Sequence, residues 1–177
     1  MNFKYPFEKI VINSSFGKLT QMPEFEKKVL PEIATALSII TGQKPQPRPA
    51  KKSISGFKIR EGMVVGLKTT LRRKKMMQFF DKVNHIVMPR IRDFRGLKLS
   101  HIDEHGNLTF GIKEHIVFPE INLEQSRVNF GIEITVVPKS NPTREGAIEL
   151  YRKLGVPLQK NSKVANLPAG RQVAKSK

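Results

Sequence analysis

The most regular pattern in the chain is SRVNFGIEITVV, residues 126–137, where Val128, Phe130, Ile132, Ile134 and Val136 fall at every second position. Period two turns one face of an extended strand toward a core and the other toward solvent, so this is the cleanest half-buried strand. Three weaker segments read the same way. Ile10 to Ile12 is a short apolar run closed by Asn13, Ser14, Ser15 and Gly17, a strand ending in a turn. MVVGLKTTLR, residues 63–72, is rich in β-branched residues, and LTFGI follows a turn over His101 to Asn107.

Helical spacing takes over elsewhere. Between Glu24 and Ile40, the residues Leu30, Ile33, Ala34, Leu37 and Ile40 share one face, and Gly42 follows as a stop. Pro31 interrupts the pattern, so the helix either starts near it, with Pro31 in the first turn, or kinks there; the late start is preferred. Met76, Phe79, Phe80, Val83 and Val87 mark a second helix that ends before Pro89. In the third, Asn141 is the expected cap, Pro142 the first helical residue, and Ala147, Ile148, Tyr151 and Leu154 the buried face, with Gly155 and Pro157 beyond its end. Pro45, Pro47 and Pro49 alternate in KPQPRPAKKS, which permits at most an edge strand.

These elements interleave as an α+β domain over residues 1–160. Several connections are too short for crossover helices, so the sheet reads as antiparallel, packed on helices, with a projecting basic loop. Residues 161–177 carry no acidic residue, no aromatic and no period, and read as a basic disordered tail whose removal should leave the melting temperature nearly unchanged.

Charge changes the picture most. Across 177 residues there are 32 Lys and Arg against 15 Asp and Glu, a net charge of +17, and so small a body calls for a polyanion to neutralise it. The absence of cysteine excludes disulfides and thiolate metal sites. No run of about 18 apolar residues and no signal segment occurs, so the chain is expected to be soluble and cytoplasmic. The charge concentrates. From Lys44 to Lys75 eleven basic residues (Lys44, Arg48, Lys51, Lys52, Lys58, Arg60, Lys68, Arg72, Arg73, Lys74 and Lys75) face one acid, Glu61. A surface kept merely soluble mixes its signs, so this stretch points to phosphates.

Within it, KKSISGFKIREG (51–62) holds Gly56 and Gly62, which allow a backbone to come close to a ligand, with Gly56 as the expected bend. Phe57 either stacks on a base or anchors the loop to the core; the sequence leaves both open. PRIRDFRG (89–96) sets Arg90, Arg92 and Arg95 around Phe94, either for phosphates or for pairing with Asp93 and other carboxylates. The one enzyme-like cluster is HIDEHG, His101 to Gly106, with Glu114 and His115 nearby, but it meets no clean metal-ligand spacing and reads as a polar surface turn. No phosphate-cradling GxxxxGK[ST], nucleophile elbow or GxGxxG is present.

TGQKP (41–45), KKSISGFKIREG (51–62), LKTTLR (67–72), PRIRDFRGL (89–97) and GIKEHIVFPEI (111–121) appear in an order that resembles the L-five family of bacterial large-subunit ribosomal proteins, over about residues 5–158. The resemblance implies no catalysis and no cofactor or metal. It implies 5S rRNA binding in the central protuberance through Asn13, Gln43 and Thr70, with Lys68 and Arg92 beside them. It also implies a loop facing P-site tRNA, built from Lys51, Lys52, Gly56, Phe57, Lys58 and Arg60. A third surface, His101, Asp103, Glu104, His105 and Asn107, is implied to bridge to the small-subunit protein S-thirteen, and 23S rRNA and neighbouring central-protuberance proteins are further expected partners.

Two departures are visible besides the tail. An N-terminal helix of the family is expected to precede the point where this chain starts, and prolines 47 and 49 are expected to shorten the strand entering the loop. Two other functions compete: a metal-dependent RNA-processing enzyme using His101, Asp103, Glu104 and His105, and a peripheral membrane binder held by charge alone.

Overall fold

A computed structural model describes residues 5–17, 19–22, 24–122, 128–140 and 142–159. The expected tail and Asn141 lie outside the described residues.

Five strands form one antiparallel sheet: β1 (Phe7–Ser15), β2 (Gln46–Pro49), β3 (Val64–Leu71), β4 (Leu108–Ile112) and β5 (Ile132–Pro138), in the order β2-β3-β1-β5-β4. The α+β reading holds. Alternation turns Ile10 and Ile12 of β1, Leu67 and Leu71 of β3, Leu108, Phe110 and Ile112 of β4 and Ile132, Ile134 and Val136 of β5 inward, and all are buried. Val128 and Phe130 continue the period-two burial ahead of β5 but precede the strand itself. Both prolines are accommodated in β2, a four-residue edge strand paired on one side to β3. An edge strand has one side with no ladder bonds to lose, which is where proline fits.

Helices cover the inner face. α1 (Leu30–Thr41) starts late, with Pro31 in its first turn, and the chain enters it through a wide π turn, Phe25–Val29, that buries Phe25 and Val29. Gly42 ends it in the left-handed region at φ 65°, donating its N–H to the Ser38 carbonyl at 2.8 Å. Two lysines of the next helix complete the cap: Lys75 Nζ donates to the Gly42 carbonyl and Lys82 Nζ to the Ile40 carbonyl, each at 2.7 Å. Cations at a helix C-terminus meet both its free carbonyls and the negative end of its dipole.

The second helix runs further than the sequence predicts. α2 (Arg73–Lys82) passes through a π turn, Val83–Val87, into a last helical piece, α3 (Met88–Arg90), so helical backbone continues past Pro89. Pro89 sits in the first turn of α3, where a missing N–H is tolerated. The cap of α4 (Arg144–Lys153) also differs from expectation: Thr143, not Asn141, is the N-cap, its hydroxyl accepting the Gly146 N–H, and Pro142 lies before the helix.

Tyr151 of α4 is fully buried between Phe7 and the start of β4, and its hydroxyl donates toward the Gly106 carbonyl at 2.9 Å and the Val136 carbonyl at 3.3 Å. Gly106 has φ 78°, and a Cβ there would meet Ala147 Cβ and Pro142 Cγ at 3.0 Å. Gly106→Ala combines backbone strain with a clash, and is expected to cost about 1–3 kcal/mol by urea unfolding.

Candidate nucleic-acid interface

The outer face of the sheet is built by the residues that alternate with the core. Register carries one row across all five strands: Gln46 pairs with Lys68, Lys68 with Asn13, Asn13 with Glu133, and Glu133 with Gly111. The next row holds Thr70, Val11, Thr135 and Thr109. All of these side chains are exposed or half-buried, and among the described residues no helix lies over them. Residues on one row of a sheet stand about 5 Å apart, so a single ligand can touch several of them.

Asn13, Lys68 and Thr70 therefore share a surface, and Gln43 joins it from the turn after α1, its Nε2 donating to the Thr70 carbonyl at 3.3 Å. Four of the five residues expected at one RNA site are brought together. Arg92 is not among them: it lines a groove of about 690 Å³ beside the far edge strand with Arg90, Gly111, Lys113 and Val117. Among the described residues, Arg90, Arg92 and Arg95 form no ion pair, Asp93 included.

The loop between β2 and β3 leaves one corner of the sheet. Ala50 and Met63 close its base through the Ala50 N–H to Met63 carbonyl bond at 2.8 Å, and Ile54 and Ile59 bond each other at 2.9 and 3.1 Å nearer the tip. The Gln21 amide reaches the Phe57 carbonyl at 3.4 Å. Lys51, Lys52, Lys58 and Arg60 are all exposed, none in an ion pair among the described residues. Phe57 is 57% exposed, which removes the core-anchor reading of that side chain.

Gly56 lies at the bend, in the middle of a 3-10 turn, Ser55–Phe57, at the loop tip. Gly56 has no positive φ; Lys58 (φ 53°) and Gly62 (φ 84°) take the left-handed conformation. Gly56 has open space around its missing Cβ.

The HIDEHG turn lies at the diagonally opposite corner, where β4 begins. Asp103 closes it, accepting the Asn107 N–H at 2.7 Å and the Asn107 side-chain amide at 2.8 Å. Burial works against the Asp103 carboxylate, but these bonds outweigh it and hold its pKa below the ordinary aspartate value. Glu104 and His105 are exposed and His101 half-buried. His115 is elsewhere, buried and stacked on Phe130 at 4.0 Å between centroids, its pKa lowered by burial against the opposing effects of a hydrogen bond to Asn129 and the charge of Glu32. Among the described residues no three His, Asp or Glu side chains are grouped so as to hold a metal.

Glu133 is the residue that sequence reasoning missed. Its one signal was position: an acid at an outward place in the cleanest strand of a strongly basic chain.

Residues 6–60 match the family model of ribosomal protein L5, and residues 64–158 match the model of that ribosomal family's C-terminus. The chain is 46% identical over 153 residues to large ribosomal subunit protein uL5 of Spiroplasma kunkelii, covering 86% of this chain and 82% of that one. The uL5 protein of Oceanobacillus iheyensis is also 46% identical, with 86% and 83% covered, and uL5c of Cyanidium caldarium is 45% identical, with 85% and 81% covered. Likeness of this degree runs through both halves of the sheet, across the open face and both corner loops, and replaces the metal-enzyme reading: the chain belongs to the ribosomal protein L5 family, a structural, non-enzymatic family of the large ribosomal subunit.

Proposed function

We propose that this chain binds 5S rRNA with the open face of its sheet, meets P-site tRNA with the 51–62 loop, and reaches the small-subunit protein S-thirteen with the turn at His101, Asp103, Glu104, His105 and Asn107. The observation that carries the first part is the uncovered row Gln46, Lys68, Asn13, Glu133 and Gly111, beside the Gln43–Thr70 pair. Neutral amides and a hydroxyl read the shape and sugar edges of a folded RNA, and Lys68 supplies a charge for its backbone. Arg90, Arg92 and Arg95 line grooves that reach Gly111, the β4 end of that row, and extend the basic surface past the sheet edge, where 5S rRNA or the neighbouring 23S rRNA is the partner.

Binding should show the counter-ion signature of a +17 protein. Affinity for a 5S rRNA transcript is expected to fall with salt by a slope of about 0.7 to 0.9 per phosphate engaged, measured by filter binding. A flat dependence would remove the polyanion reading. Gln43→Ala and Thr70→Ala are each expected to cost about 1–3 kcal/mol of 5S rRNA affinity with unchanged melting temperature, because each strands an RNA partner. Parental affinity in both variants would show that the RNA lies elsewhere on the protein.

A further inference from the structure

We infer that Glu133 is a positioning residue that fixes the hydrogen-bond polarity of Asn13, so that the open sheet face accepts hydrogen bonds from the minor-groove edge of an RNA. The inference rests on the proposed 5S rRNA reading and deepens it. Asn13 Nδ2 lies 3.5 Å from Glu133 Oε2. An ionised carboxylate only accepts, so the amide nitrogen of Asn13 must turn to it, and the amide oxygen faces the ligand. Gln43 is held in the same sense: its Nε2 is engaged by the Thr70 carbonyl, which also only accepts, so its Oε1 is the atom that bond leaves for a ligand. Two side chains that could each donate or accept are both set to accept.

Acceptors repel phosphates and select groups that carry hydrogen. On an A-form RNA helix the readable edge is the wide minor groove, whose donors are ribose 2′-hydroxyls and the guanine N2 amine. The charges beside Asn13 work in the same direction. Lys68 is its register partner on β3 and Glu133 on β5, so a phosphate beside Asn13 is drawn toward Lys68 and kept off Glu133, with Lys113 the next cation on the β4 side. Asn13 and Glu133 also line one open depression of about 520 Å³ with Ser15, Gly111, Lys113 and Gly131.

The test reverses the pair. Asn13→Asp puts two carboxylates side by side, and Glu133→Gln frees the Asn13 amide to turn; each is expected to weaken 5S rRNA binding about tenfold. In the double variant the amide introduced at position 133 donates to the carboxylate introduced at position 13, whose second oxygen faces outward, and the charge of the pair is unchanged. It is expected to return to within about threefold of the parent, a recovery that a merely structural role for Glu133 would not produce. Melting temperatures of all variants serve as the control for folding. The same proteins are then measured against transcripts with 2′-deoxynucleotides and with inosine for guanosine. Loss of parental affinity with the first identifies ribose hydroxyls as the donors, and loss with the second identifies the guanine amine. A double variant no tighter than the weaker single variant overturns the inference, as does a parent indifferent to both modified transcripts. A parent that does not bind unmodified 5S rRNA overturns instead the reading beneath it.

Discussion

Replacing Lys51, Lys52, Lys58 and Arg60 together with alanine is expected to leave 5S rRNA affinity within about twofold of the parent while P-site tRNA leaves reconstituted ribosomes about tenfold faster. The two readouts separate because the surfaces do. The four cations sit on a loop that leaves the β2–β3 corner, whereas Thr70 and Gln43 lie at the other end of β3. Strand lengths put the base of the loop about 13 Å from the Lys68–Asn13 row and about 20 Å from Thr70, both beyond the Debye length of about 8 Å near physiological salt. The scaffold should survive the change, since the loop is closed by main-chain bonds between Ala50 and Met63 and between Ile54 and Ile59, none of which uses the replaced side chains. Phosphate contacts position a nucleic acid without reading its sequence, so one loop can serve every tRNA that enters the site. Loss of 5S rRNA binding with normal tRNA retention would assign the loop to the other RNA.

What was legible from sequence depended on whether the cause was local. Period two in residues 128–136 and helical spacing from Leu30 to Ile40 reflect burial of one face, and the structure buries Val128, Phe130, Ile33 and Leu37 accordingly. Gly42 as a stop followed from backbone chemistry alone. Where a tertiary partner decides, the sequence was silent. Pro89 looked like the end of a helix because a π turn upstream cannot be read from spacing. Asn141 is the stronger cap residue by type, yet Thr143 caps α4, a choice that residue preference alone does not make. Gly56 is in the turn at the tip of the basic loop, but nothing in the sequence marks Lys58 as the residue that closes that turn in the left-handed conformation. On the proposed RNA face, motifs pointed to Asn13, Gln43 and Thr70 but not to Glu133, which is 120 residues from Asn13 in the chain and is joined to it only by strand register.

Tyr151→Ala is expected to cost about 3–5 kcal/mol of folding stability. The ring fills the space between Phe7, whose centroid is 6.0 Å away, and the β4 turn, and α4 has only Ala147 and Tyr151 fully buried to hold it on the sheet. Tyr151→Phe keeps that packing and removes the hydroxyl, leaving the Gly106 and Val136 carbonyls short of a donor at a cost of about 1–3 kcal/mol. The pair of variants thus separates packing from hydrogen bonding. Titration supplies an independent check. Burial, assisted by the charge of Asp103, raises the Tyr151 pKa well above its ordinary value of 10.0. The unfolded chain therefore gives up this proton first as pH rises, so stability from Tyr151 is complete below pH 10 and declines above it. Urea unfolding at a series of alkaline pH values should show the parent losing stability relative to Tyr151→Phe from pH 10 upward, and curves that stay parallel would mean that the phenol is open to solvent.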